Sequence, residues 1–210
     1  MAKKPENTIT KIRTGYGDKG ETFLVNPNVS KADPLVDFVG TLDEANAFIG
    51  KIDLTNIIEL NWFNDKNNEG RLVQGQNNYI IIMYYVKSMS LLFDIGAAVH
   101  SDKVKDQVLE NLDIYVSAIE HVIKTVQQNY EKYQKLNGFI IPDRSNADAM
   151  IARAVVRRAE REAVKANCFW AVPALNIMSD FLFLLAWMLT EGNVNQWTGV
   201  SNFNIKTESK

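Results

Sequence analysis

The sequence predicts an all-α protein, an up-and-down bundle of five helices behind an irregular N-terminal arm. Three observations carry this expectation. Five segments repeat apolar residues at helical spacing. Glycine, proline or charged breaks separate them, and no stretch sustains the alternation of a half-buried sheet. The 210 residues are 46% hydrophobic and 23% charged, enough apolar material for one sizeable core. The expected organisation is an arm over residues 1–32, one helical domain over 33–192, and a polar, mobile tail over 193–210.

Composition also narrows the function. A net charge of −2 gives no general attraction to nucleic acid or to an anionic membrane, so any anion site must be built locally. The one cysteine, Cys168, rules out an internal disulfide framework and a cysteine metal cluster. It reads as a buried small hydrophobe near a helix end. His100 and His121 share no metal-binding spacing, so no metal site of protein side chains is expected. The opening MAKKPENT has no apolar signal core, and no run of about 18 apolar residues marks a membrane span. A cytoplasmic protein is expected.

In the arm, Gly15, Gly17 and Gly20 fall within six residues and allow positive φ or close approach of backbone to a ligand. The pattern is not that of a P-loop. Taken alone, these glycines describe a plain surface arm better than a binding loop. Lys19 and Lys31 flank them, where ammonium groups would help hold phosphates.

The first helix starts with Asp33 at the N-cap and Pro34 in the first turn. Leu35, Phe38, Val39, Leu42 and Ile49 form its apolar stripe, with Asp43 and Asn46 on a neighbouring face. Residues 53–76 read as a variable connection holding at most a short helix. Asn77–His100 is apolar; the β-branched run Ile80–Ile82 favours strand locally, but length favours a buried helix. Residues 101–106 form a charged break. Gln107–Lys135 is the next helical segment, with Leu109, Leu112, Ile119, Val122, Ile123 and Val126 inward.

Pro142 then ends an extended apolar piece, and Ser145 is expected to cap the next helix with Asp148 in capping-box position. That helix, Ser145–Lys165, carries Arg153, Arg157, Arg158 and Arg161. Three of them recur every four residues and climb one side; Ile151, Val155, Ala159 and Ala163 form an apolar stripe on another. Guanidiniums in a row suit a polyanion, above all a phosphate chain. The alternative is a solvated face laced by pairs such as Arg158–Glu162. The last helix runs from Pro173 to Glu191, stopped by Gly192, with Met178, Phe181, Leu182, Leu185, Ala186 and Leu189 inward. Asn176, Ser179 and Asp180 make a polar patch near its start, for which the arginine helix offers partners.

Several of these segments together resemble the PduO-type ATP:cob(I)alamin adenosyltransferases. TGYGDKGET at 14–22 with VSKADP at 29–34 resembles the family's TRTGDxGxT…KDDP. GTLDEANAFIG at 40–50 resembles GTxDELNxxIG, and LLFDIGAA at 91–98 resembles the LFDLG segment. FIIP at 139–142, ARAVVRRAERE at 152–162 and LNIMSDFLFLLA at 175–186 resemble FILP, ARTxxRRAER and LNRLSDxLFxLA. Order and spacing agree from about residue 10 to 190.

The resemblance implies a ferritin-like, cobalamin adenosyltransferase-like five-helix bundle that forms a homotrimer with active sites between subunits. It implies an alkyl-group transferase that takes ATP and cobalamin as substrates, with Mg²⁺ carried by the nucleotide. Thr14, Gly15, Tyr16, Gly17, Asp18, Lys19, Thr22, Phe23 and Lys31 would line the ATP. Arg157, Arg158, Glu160 and Arg161 would lie along the triphosphate, and Asn176 would touch the nucleotide. Arg157 would act in catalysis, with Asp43 paired to Arg153 across the subunit interface. A reductase and an adenosylcobalamin-dependent enzyme are the implied partners. The other reading is a non-catalytic relative, a carrier, sensor or assembly subunit for nucleotide or corrinoid.

Four departures from the family pattern stand out. Gly15 replaces a basic residue. Asp143 and Arg144 replace a glycine pair. Ile177 replaces an arginine. Residues 101–106 offer Val104 but no aromatic, where the family often places one against the corrinoid.

Overall fold

In the computed structural model, which describes residues 15, 17–24, 28–55, 57, 74–129, 136–190, 192–197 and 199, helix α1 spans Pro34–Gly50. Its start follows the sequence: the Asp33 carboxylate accepts the Leu35 N–H at 2.8 Å, and Pro34 fills the first turn. Phe38, Leu42 and Ile49 are buried, while Leu35 packs at the edge of the core.

Helix α2 (Gln74–His100) begins within the stretch expected to be a connection; the rest of that connection, over 58–73, lies outside the described residues. Ile81 is fully buried, so length and tertiary packing override the strand preference of Ile80–Ile82. Helix α3 (Asp102–Asn129) also starts earlier than expected. Residues 102–106 are its first turn, not a charged loop, and Ser101 alone separates it from α2. The Ser101 carbonyl accepts the Lys105 N–H at 2.9 Å, and the acid at Asp102 complements the helix N-terminus. Val104 packs against the core from there. The expected extension of α3 over 130–135 lies outside the described residues.

Helix α4 (Ala147–Lys165) is not capped by Ser145. Asp143 takes that work: its carboxylate accepts the Ser145 N–H at 2.7 Å, and its carbonyl accepts the Ala147 N–H at 2.8 Å. The Asp143 N–H in turn donates to the Asn146 side-chain oxygen at 2.9 Å. This local ring of bonds leaves Ser145 exposed and shifts the helix start by a residue. Asp148 has no capping role and instead binds Lys51 at 2.7 Å, joining the start of α4 to the end of α1. At the other end, Asn167 adopts φ 57° and the Cys168 N–H reaches back to the Ala163 carbonyl at 2.8 Å. Cys168 is buried beside this turn, and burial raises its thiol pKa.

Helix α5 (Val172–Leu189) follows a single 3₁₀ turn at Phe169–Ala171. It ends at Leu189, two residues before the expected Glu191, and Gly192, at φ 74°, donates to the Trp187 carbonyl at 3.0 Å. Phe181, Leu182, Leu185 and Met178 are buried. By length and hydropathy alone, Tyr79–His100 and Phe169–Leu189 are apolar enough to cross a bilayer, contrary to the expectation from the sequence. In α5 that apolar surface is the core of the bundle.

The helices form a closed arrangement. α4 packs between α1 and α5, α2 packs on α1 and α3, and α3 returns to α5. Two small antiparallel ribbons decorate it. In the arm, β1 (Glu21–Thr22) pairs with β2 (Val29–Ser30). Ahead of α4, β3 (Phe139–Ile140) pairs with β4 (Gln196–Trp197). The start of the tail is therefore ordered, not mobile. The Ile141 N–H donates to Asn195 at 2.8 Å, and Gln196 caps the Asn137 and Gly138 N–H groups. Residues 200–210 lie outside the described residues.

The core makes one direct prediction. Leu182→Ala removes a fully buried side chain and should lower unfolding free energy by about 2–5 kcal/mol. Chemical denaturation measures it, and a change of only a few tenths would show that α5 is not the central helix.

Candidate functional site: an arginine helix and a glycine arm

Helix α4 is asymmetric by construction. Its inner arc holds Ala149, Ala152, Val156, Ala159 and Ala163, each fully buried, with Val155 beside them. Ile151 was expected on this arc but is 41% exposed, at the rim. The inner seam follows 3–4 spacing through Ala152, Val156 and Ala159, and Ile151 falls outside it. Small side chains let the α4 backbone approach α1 and α5 closely and hold the opposite arc at a fixed height.

That opposite arc bears the arginines, each in a different setting. Arg157 is exposed and has no carboxylate partner among the described residues; its carbonyl accepts a bond from Arg161 Nη1 at 2.9 Å. Arg161 is exposed as well, and Glu160 half-buried. Arg158 is paired with Glu44 of α1 and not with Glu162, which binds Lys165 at 2.9 Å. The competing pair is thus a bridge between helices, not a rung along one. Glu44 lies one residue from Asp43, and sequence reading passed over it because its role depends on how α1 and α4 are rotated.

Arg153 is half-buried, with its guanidinium 5.3 Å from the centre of the Phe183 ring. Its Nε is shielded from solvent and has no acceptor among the described residues. Burial and then the Arg157 charge lower its pKa from the ordinary value, and Asp180 opposes them. Asp180 acts on Arg153 through its charge alone, and no hydrogen bond or ion pair joins the two among the described residues. Ser179 is fully buried, its hydroxyl lacking a partner among the described residues. Asn176 is exposed. Within the chain, Asp43 is exposed and not among the charges that act on Arg153.

The arm is a tight turn leading into the β1–β2 ribbon. Gly15 and Gly20 have positive φ, 71° and 84°, which only glycine adopts freely. The Gly20 N–H closes a turn on the Gly17 carbonyl at 3.2 Å, and the Lys31 N–H meets the Gly20 carbonyl at 2.8 Å. Lys31 folds its ammonium over Gly17, where an added Cβ would lie 2.6 Å from Nζ. Lys19 and Lys31 are in no ion pair among the described residues. Asp18 is exposed beside them, Thr22 half-buried, and Phe23 63% exposed. Thr14 and Tyr16 lie outside the described residues.

Three further features escaped the sequence. His100 at the end of α2 binds the Leu24 carbonyl in the arm. Phe139 is 72% exposed and lies 6.1 Å from the exposed Trp197 ring across the second ribbon. Between α2 and α3 lies an apolar cavity of about 740 Å³. Among the described residues no three metal-ligating side chains converge. Arg157, Lys19 and Lys31 are cations outside any ion pair among the described residues and so available to an anion, with exposed aromatics elsewhere on the surface.

Comparison with known proteins gives these features a family context. Residues 12–189 match a family model described as cobalamin adenosyltransferase. The corrinoid adenosyltransferase of Mycobacterium leprae is 30% identical over 203 residues, covering 90% of this chain and 96% of that protein. That of Bacillus subtilis is 29% identical over 185 residues, covering 84% of each. In fold, the chain is similar to a PduO-type ATP:corrinoid adenosyltransferase variant from Lactobacillus reuteri, solved with cobalamin and ATP. The TM-score is 0.58 at 21% identity, over 90% of this chain and all of that one.

The Arg158–Glu44 pair is 41% and 44% exposed. A double-mutant cycle with alanine at both positions should therefore give a coupling of less than about 1 kcal/mol. A coupling several times larger would mean that the pair is a structural clamp and unavailable to any ligand.

Proposed function

The chain belongs to the cobalamin adenosyltransferase family, and from that membership we propose that it transfers the 5′-deoxyadenosyl group of ATP to cob(I)alamin. The observation that carries this is the arginine arc of α4, with Arg157 exposed and in no ion pair among the described residues, beside the half-buried Arg153. An unpaired guanidinium on a rigid helix is a pre-set donor fork for phosphate oxygens.

The reduced cobalt of the substrate is the nucleophile. Its electron pair forms the cobalt–carbon bond at C5′ of ATP; the C5′–O bond breaks, and its electron pair leaves with inorganic triphosphate. No protein base or nucleophile is required. The protein's work is to hold two reactants in line and to stabilise the charge of the leaving group. Arg157 and Arg161 serve the triphosphate, and Arg158 joins them when it releases Glu44. Glu160 and Asn176 complete the nucleotide's surroundings. Thr14, Gly15, Tyr16, Gly17, Asp18, Thr22 and Phe23 form its cradle, and Lys19 and Lys31 add charge beside it. Asp143, an acid where the family pattern has glycine, has its carboxylate engaged by the Ser145 N–H at the start of α4.

Among the described residues no three metal-ligating side chains converge; Mg²⁺ would arrive with the nucleotide and would offset phosphate charge there. The corrinoid needs an apolar face. Residues 102–106, where the family often places an aromatic, are helical here, and the exposed Phe139–Trp197 pair supplies an apolar surface instead.

The chain acts as a homotrimer in this reading. Arg153 has a shielded Nε without an acceptor among the described residues, and Asp43 is an exposed carboxylate; a pairing across subunits satisfies both. A cytoplasmic reductase that supplies cob(I)alamin and an enzyme that uses adenosylcobalamin are the partners.

Anaerobic steady-state adenosylation tests the phosphate role. Arg157→Ala should lower kcat/KM by about tenfold to a hundredfold, the worth of a charged hydrogen bond, with the fold unchanged by circular dichroism. Unaltered kinetics would remove the arginine arc from the triphosphate. For the interface, Asp43→Asn should weaken assembly by about 3–5 kcal/mol, because it leaves a desolvated arginine unpaired. Light scattering reads this, and a variant with wild-type assembly and activity would refute the pairing.

A further inference from the structure

His100 closes α2, and its ring reaches out of the bundle to the arm. Nδ1 hydrogen-bonds to the Leu24 carbonyl, 76 residues away in sequence. A carbonyl only accepts, so Nδ1 carries the proton, whether the ring is neutral or cationic. The last turn of α2 suits such a group, since the unsatisfied carbonyls there favour a cation or a donor.

The point of attachment on the arm matters. Leu24 lies just past β1 (Glu21–Thr22), and the other end of β1 turns through Gly20 into the Gly17–Lys31 cradle. The ribbon that holds this cradle has two residues on each strand, too few to be stable by itself. An anchor close to β1 therefore sets where the whole cradle sits on the bundle.

We propose that His100 is a positioning residue for the nucleotide, fixing the arm on the end of α2 before ATP arrives. This rests on the reading of the arm as the ATP-binding segment. A pre-ordered arm has less conformational freedom to lose when the nucleotide binds, so the anchor appears as ATP affinity and not as the rate of chemistry.

The test compares the full-length wild type with His100→Ala, which removes the donor, and His100→Asn, whose amide N–H keeps one. Two readouts are needed: hydrogen–deuterium exchange over residues 17–32 without nucleotide, and ATP affinity alongside kcat at saturating ATP. His100→Ala should speed exchange in the arm and weaken ATP by about fivefold, the scale of one ordinary hydrogen bond. Its kcat at saturation should hold, and His100→Asn should restore both properties. Unchanged exchange in His100→Ala would overturn the proposal, as would faster exchange with undiminished ATP affinity. A wild type that binds no ATP would overturn the nucleotide reading itself, and the exchange data would still report whether His100 holds the arm.

Discussion

The site depends on how closely the inner face of α4 packs. Ala149, Ala152, Ala159 and Ala163 are fully buried against α1 and α5. Alanine brings no rotamer freedom to lose and lets helix backbones approach. The close seam fixes the rotation of α4, which assigns each arginine its setting. Arg157 and Arg161 emerge into solvent, Arg158 meets Glu44, and Arg153 is caught halfway over Phe183. A bulkier inner face would push α4 outward and change all four together.

The proposed reaction asks for this kind of scaffold. With the nucleophile supplied by the corrinoid, the chain needs neither a tuned acid nor a tuned base. It needs cations that other charges do not occupy and a backbone that approaches phosphate closely. Arg157, Lys19 and Lys31 meet the first need, free of ion pairs among the described residues. Gly15 and Gly20, both at positive φ, shape the turn that meets the second. The arm has little core of its own, so its position is borrowed from the bundle through the short chain at Asp33 and the His100 contact.

Much of this was legible in the residues. The Asp33–Pro34 start of α1, the apolar stripes of α3 and α5 and the Gly192 stop are local signals, and the structure follows them. The arginine arc was visible from its spacing. Where the reading failed, a local rule met a stronger competitor. Ser145 lost its cap to the Asp143–Asn146 turn, whose bonds satisfy the same N–H groups. The charged residues 102–106 are polar enough for a loop, but their acid and their spacing suit a first helical turn. The β4 strand in the tail is set by pairing with a segment some 58 residues away, which no local pattern announces. Glu44 and His100 were missed for the same reason, since both act through partners distant in sequence. The family resemblance implies what local rules do not: that the arm and the arginines serve one nucleotide.

The central claim is that this chain makes a cobalt–carbon bond at the expense of ATP. Anaerobic turnover of the wild-type protein with chemically reduced cob(I)alamin and ATP tests it most directly, with both products quantified. Adenosylcobalamin and inorganic triphosphate should appear in equal amounts. Binding of both substrates without either product would contradict the claim and identify a carrier instead.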